Sequence, residues 1–76
     1  MFTRRLGISS PEQNFCAKSC PDILELENGD FAIIGADITE LAASNLPHGS
    51  GCGAGERIVK IPRALLVKAR ADIPNA

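Results

Sequence analysis

The sequence predicts a small α+β fold, in which a three-stranded antiparallel sheet packs on one face against a short helix and a C-terminal helix. Two observations carry this prediction. Residues 22–35 alternate between apolar and other side chains around an Asn-Gly pair, and residues 56–70 pass from a β-branched run through a proline into a helix-forming run. With 76 residues, of which 45% are hydrophobic and 22% charged, the chain has the composition of one small folded domain.

The first two strands form a hairpin over residues 22–35. Its turn is the Asn-Gly pair at 28–29, the strongest short-range hairpin signal. A two-residue turn pairs Leu26 with Phe31 and Leu24 with Ile33, so that these four side chains share one face. We expect that face to form the core.

A short helix and a loop follow the hairpin. Residues 37–40, Asp-Ile-Thr-Glu, have the spacing of a capping box, which marks the start of a helix. Pro47 ends this helix because the residue before a proline avoids helical geometry. Residues 47–55 contain four glycines and are predicted to be a loop.

The third strand is predicted at residues 56–61, which alternate and are rich in β-branched side chains. Placed beside the hairpin, this strand would set Arg57 and Lys60 against Glu25 and Glu27.

The C-terminal helix begins after the strand, with Pro62 at its first position. Its apolar residues recur at helical spacing and predict a buried stripe made of Leu65, Leu66, Ala69 and Ile73.

The chain divides into a flexible N-terminal tail, residues 1–19, and a single α+β domain, residues 20–76. The tail shows no periodicity and lacks the apolar run of a secretory signal. No stretch approaches the roughly 20 apolar residues that cross a bilayer, so we expect no membrane association. An odd number of cysteines fits a reducing compartment, and a cytoplasmic location is expected.

Two Cys/His pairs supply the ligand types of a structural zinc site: Cys16 with Cys20, and His48 with Cys52. Other interpretations remain open. Cys20 could pack as a small apolar residue while His48 and Cys52 lie in the loop, or Cys16 and Cys20 could form a disulfide. No cofactor is expected, and zinc is retained as an alternative.

Catalytic chemistry finds no support in the sequence, and we expect a protein that is not an enzyme. The glycine-rich loop is followed by a strand and not by the helix that a phosphate-binding loop requires. His48 is the only histidine, and a glycine-rich loop would not hold it against Cys52 in a productive geometry.

Charge is separated along the chain, with acids alone between residues 22 and 40 and bases alone between residues 57 and 70. A dipolar surface of this kind predicts two interaction sites. One is an acidic face around Glu25 and Glu27, and the other is a basic helix around Arg63 and Arg70.

The run CPDILELENGDFAIIGADIT at residues 20–39, with GERIVKIPRALLVKAR at residues 55–70, resembles small uncharacterised actinobacterial proteins encoded beside helix-turn-helix regulators. The resemblance covers residues 20–73 and implies a regulatory or interaction protein, an accessory partner of such a DNA-binding regulator. The shorter run GERIVKIPRALLVKA is similar to the strand-proline-helix element of swapped-hairpin antitoxin and transition-state regulators. That likeness implies a homodimer that contacts DNA through Arg57, Lys60 and Arg63.

The sequence therefore predicts a small, non-enzymatic regulatory or interaction protein that binds a protein partner. The alternatives are a direct DNA-binding dimer that uses residues 57–70 and a zinc-stabilised module that uses Cys16, Cys20, His48 and Cys52.

Overall fold

The computed structural model describes residues 1–7 and 20–73 and has the predicted α+β class. Its elements in chain order are β1 (Phe2–Arg5), β2 (Asp22–Leu26), β3 (Phe31–Ile34), β4 (Ala36–Asp37), α1 (Thr39–Ala42), a 3₁₀ turn (Ala43–Asn45), β5 (Val59–Lys60) and α2 (Arg63–Arg70). The main sheet is antiparallel with strand order β1-β2-β3, and β4 pairs with β5 in a second, two-stranded sheet. No helix within the described ranges is long and apolar enough to cross a membrane.

The third strand of the main sheet is β1, and the prediction that residues 56–61 fill this position is wrong. β1 pairs Arg5 with Leu24, and the Leu6 amide beyond it donates to the Ile23 carbonyl at 2.9 Å. The predicted tail therefore begins with a strand, while residues 8–19 lie outside the described part of the chain. Sequence reasoning missed β1 because the Arg-rich run lacks apolar alternation and is placed only by its contacts with β2.

The hairpin is present, but its register differs from the prediction by one residue. Glu25 pairs with Phe31 and Ile23 with Ile33, because the loop contains three residues instead of two. The Gly29 amide donates to the Leu26 carbonyl at 3.0 Å, and Gly29 has a φ of +94°. This is a type I turn followed by a left-handed glycine, which absorbs one more residue than a two-residue turn.

The change of register moves the core on β2 from Leu24 and Leu26 to Ile23, because a one-residue slip exchanges the two faces of one strand relative to its partner. Among the residues that the structure describes, Leu6, Ile23 and Ala69 are the buried apolar ones, and Ile61 and Leu65 pack against them.

The four residues predicted to share the core face lie on opposite faces of the hairpin, and all four are at least partly exposed. Leu24 and Leu26 are half-buried, whereas Phe31 and Ile33 are 38% and 47% exposed. The domain therefore leaves much of its apolar surface in contact with solvent.

The short helix α1 starts where the capping-box residues predict, although the cap has a different form. The residue at the cap position is Ile38, which makes no side-chain cap. Instead, Oδ1 of Asp37 accepts hydrogen bonds from the Thr39 amide at 3.0 Å and from the Thr39 hydroxyl at 2.6 Å. Asp37 thus satisfies an amide that the first turn of the helix leaves unpaired.

Candidate interaction surface

The helix α2 is fixed to the sheet at its C-terminal end. Ala69 is fully buried, and the Gly7 amide donates to Oδ2 of Asp72 at 2.7 Å. A second hydrogen bond runs from Nη2 of Arg4 to the Asp72 carbonyl. The N-terminal strand therefore sets the orientation of α2 and of the side chains on its outer face.

Gly7 allows this close approach. It has a φ of +75°, and a Cβ atom at this position would lie 3.1 Å from the Ala69 nitrogen and 3.2 Å from Cβ of Lys68. A glycine is therefore required at this contact both for its backbone conformation and for its lack of a side chain.

The outer face of α2 presents an apolar pair between two arginines. Arg63, Leu66, Val67 and Arg70 have the spacing i, i+3, i+4, i+7 and lie on one side of the helix. Leu66 and Val67 are 54% and 55% exposed, whereas Leu65 and Ala69 face the sheet. We call these four residues the α2 stripe.

This arrangement corrects one part of the predicted helix packing. The predicted buried stripe contains Ala69 and Leu65, which do pack inward, but Leu66 is exposed and Ile73 remains 41% exposed. The sequence alone shows that the four residues of the α2 stripe have helical spacing. Which of two overlapping apolar stripes is buried was decided by the sheet.

The basic residues from Lys60 to Arg70 are not neutralised by Glu25 or Glu27, the two acids of the predicted acidic face. No ion pair is found within residues 1–7 and 20–73 for Lys60, Arg63, Lys68 or Arg70. All four are exposed. The C-terminal part of the chain therefore presents positive charge that the fold itself does not neutralise.

On the predicted acidic face, Glu25 is taken up by an ion pair, whereas Glu27 stays exposed. Oε1 of Glu25 accepts from Nε of Arg4 at 2.9 Å, and its side chain is only 16% exposed. Glu27 lies 3.4 Å from the N-terminal amine of Met1. Neither acid pairs with Arg57 or Lys60, because β1 occupies the position beside β2 that the sequence assigns to residues 56–61.

Arg57 belongs to a separate cluster beside α1. Its guanidinium lies 2.9 Å from Oδ2 of Asp37 and 3.2 Å from Oε1 of Glu40. Hydrogen bonds from the side chain and backbone of Thr39, and then from Arg57, lower the pKa of Asp37 to about 2. The hydrogen bond with Asp37 raises the pKa of Arg57 in turn. Of the three residues predicted to contact DNA, Arg57 is thus held by two carboxylates, while Lys60 and Arg63 form no ion pair with any described residue.

The four residues of the zinc alternative are not assembled into a site in the described part of the chain. Cys20 is disulfide-bonded, and Cys52 is a free thiol whose Sγ donates to the Glu56 carbonyl at 3.3 Å. His48 is exposed in the loop, and Cys16 lies outside the described residues. No group of three or more metal-ligating side chains occurs within the ranges described.

An apolar groove of about 470 Å³ lies where β2 begins and β5 ends. Residues 20–21 line it on one side and residues 60–62 on the other, with residues 34–36 between them. The groove is the gap between the start of β2 and the end of β5, beside the short segment that joins β3 to β4. No protein-family model, curated protein or solved structure matches this chain, so its candidate surfaces are defined by their own geometry.

Proposed function

We propose that this chain is a non-enzymatic interaction protein, which binds an acidic protein partner through the α2 stripe. The observation that carries the proposal is the half-exposed pair Leu66 and Val67. They lie between Arg63 and Arg70, which form no ion pair with the part of the chain that the structure describes. An apolar centre with a charged rim is the usual anatomy of a protein-binding site. The complementary surface is an apolar patch flanked by carboxylates.

The exposed apolar pair favours a protein over DNA. A phosphate backbone attracts arginines and lysines but offers nothing that would bury Leu66 and Val67. Arg57, which the DNA alternative requires, is already paired with Asp37 and Glu40. A protein partner would use both the charge and the apolar area of the helix.

The proposal includes an accessory role to a helix-turn-helix regulator, which is the partner class that the sequence of residues 20–73 leads us to expect. The regulator would provide the acidic, apolar surface, and the complex would form in the cytoplasm. Binding through one face of a rigid helix uses anchors at i, i+3, i+4 and i+7, as the α2 stripe supplies.

Site-specific photo-crosslinking in the host cell tests the proposal. A photoreactive residue at Val67 should capture one protein partner, and the same residue at Leu41, which is 76% exposed on α1, serves as the matched control. We expect the Val67 adduct to disappear when Arg63→Glu and Arg70→Glu are combined, because charge reversal repels an acidic surface.

Anisotropy of a labelled DNA duplex decides between the partner classes. We expect duplex binding to be weak and unaffected by Leu66→Ser with Val67→Ser, while the protein adduct is lost in that double variant. Tight, salt-sensitive duplex binding that depends on Lys60 and Arg63 would replace the proposal with direct DNA binding.

A further inference from the structure

The outer edge of β3 carries backbone groups that pair with no residue in the described ranges. The Leu26 amide donates to the Asp30 carbonyl at 2.8 Å. Because hydrogen-bonded pairs alternate along an antiparallel ladder, Ala32 and Ile34 also bond to β2. Phe31 and Ile33 fall between these pairs, so their N–H and C=O groups point away from β2. No hydrogen bond within the described residues uses them.

The two-stranded sheet does not cover this edge. Ala36 pairs with Lys60, and the hydrogen bond from the Ile38 amide to the Ile58 carbonyl at 2.8 Å makes this a hydrogen-bonded pair as well. In an extended chain the N–H and C=O groups of every second residue point to the same side. Ala32 and Ile34 bond to β2, and Ala36 follows Ile34 by two positions. β5 therefore lies on the same side of the chain as β2, and the apolar groove is the gap between them. No strand from residues 1–7 or 20–73 pairs on the opposite side.

The edge also lacks the features that protect exposed strands from pairing. β3 has the sequence Phe-Ala-Ile-Ile, with no charge, no proline and no bulge in its pairing with β2. Its side chains Phe31, Ile33 and Ile34 remain partly exposed, the last of them at 52%. Proteins normally guard such an edge with lysine, proline or a covering segment.

We infer that the β3 edge pairs with the same edge of a second copy of this chain, which joins two three-stranded sheets into one. A twofold axis at Ala32 sets Phe31 of each copy opposite Ile33 of the other. All the outward N–H and C=O groups of both residues then find partners. The arrangement also places an aromatic side chain beside a β-branched one, a favourable cross-strand pair.

Charge and area both fit a second copy as the occupant. The strand carries no charge that would select a different partner, and a formal net charge of -1 produces little repulsion between copies. Three partly exposed apolar side chains and a short edge form a small interface, below about 1,200 Å² in total. The dimer is therefore of micromolar affinity and forms as the protein concentration rises.

Amide hydrogen exchange as a function of concentration tests this inference directly. Between about 10 μM and about 1 mM, a range that brackets micromolar affinity, the amides of Phe31 and Ile33 should become protected. The amides of Ala32 and Ile34 bond to β2 and should be protected throughout. Sedimentation velocity on the same samples should show conversion from monomer to dimer. A monomer at the highest concentration, or a dimer in which Phe31 and Ile33 still exchange freely, overturns the inference.

Two variants remove the pairing and leave the monomer intact. Ile33→Pro deletes an outward N–H that the hairpin does not use, and Phe31→Lys places a charge at the edge. Both should be monomeric with the circular dichroism of the parent, while Ile33→Val should dimerise like the parent. A dimer that survives in the folded Phe31→Lys protein contradicts the pairing even where Ile33→Pro fails to fold.

Discussion

At the scale of single residues, the carboxylate of Asp37 takes part both in the start of α1 and in an ion pair. Oδ1 accepts two hydrogen bonds from Thr39 while Oδ2 faces Arg57 at 2.9 Å. The Thr39 hydroxyl also accepts from the Ile58 amide at 2.8 Å, so this side chain links α1 to the strand segment that follows the loop.

The ionised form of Asp37 is the one that the fold stabilises, since its pKa falls from 3.8 to about 2. This contribution is present above the unfolded pKa and is lost as the pH falls from about 4 to about 2. An NMR titration of the carboxyl carbon should show the low midpoint. Thr39→Val should raise the midpoint, because it removes the hydroxyl hydrogen bond that is the largest cause of the shift and leaves the backbone hydrogen bond in place. Equal midpoints in the parent and in Thr39→Val would contradict this assignment.

Gly7 and Gly29 form a matched pair of substitutions, since both have positive φ but only Gly7 has close neighbours. Gly29→Ala should cost about 1–2 kcal/mol for the left-handed backbone alone. Gly7→Ala should cost about 1–3 kcal/mol more, because its Cβ would meet Ala69 and Lys68. Urea unfolding of both variants measures the difference, and equal losses would show that the contact with α2 is looser than described.

At the scale of elements, the N-terminal strand is the part of the fold on which the rest depends. Leu6, directly after β1, belongs to the core, and Nε of Arg5 in β1 lies 2.6 Å from Oδ2 of Asp22. Arg4 in β1 and Gly7 just beyond it hold the end of α2.

Leu6→Ala should therefore be far more harmful than Phe31→Ala. Leu6 is fully buried, and removing a buried leucine costs about 2–5 kcal/mol, a large share of the stability of a small domain. Phe31 is 38% exposed and stands outside the core cluster, so its removal should cost less. Thermal unfolding followed by circular dichroism compares the stability of the two variants. A larger loss for Phe31→Ala than for Leu6→Ala would favour the core predicted from a two-residue turn.

At the scale of the whole molecule, the fold leaves a small core and several exposed apolar surfaces. The α2 stripe and the β3 edge lie on different elements, so binding a partner and self-association need not compete. The state of the cysteines is a second whole-molecule property, because it decides whether the zinc alternative is chemically available.

Protein purified without reductant should accept one alkyl group, at Cys52, and after reduction and unfolding it should accept three. Intact-mass spectrometry after iodoacetamide treatment counts the adducts. Three adducts without reduction would remove the disulfide at Cys20 and make thiolate ligands available to zinc.

The local elements could be predicted from the amino-acid sequence alone, because their causes lie within a few residues. The hairpin around Asn28, the start of α1 near Asp37 and the helix after Pro62 all follow from turn chemistry, capping and the fixed φ of proline. The separation of charge along the chain likewise indicates a basic C-terminal region without any knowledge of the packing.

Which elements meet depended on contacts between distant segments. The register of the hairpin depended on whether Gly29 would enter the left-handed region and lengthen the turn, and that choice exchanged the buried face. The arginines of β1 show no apolar periodicity, yet β1 pairs with β2. Residues 56–61 therefore lie outside the main sheet, where Arg57 contacts Asp37. The exposure of Leu66 and Val67 followed, because pairing and packing between distant segments are set by competition across the whole chain and not by local preference.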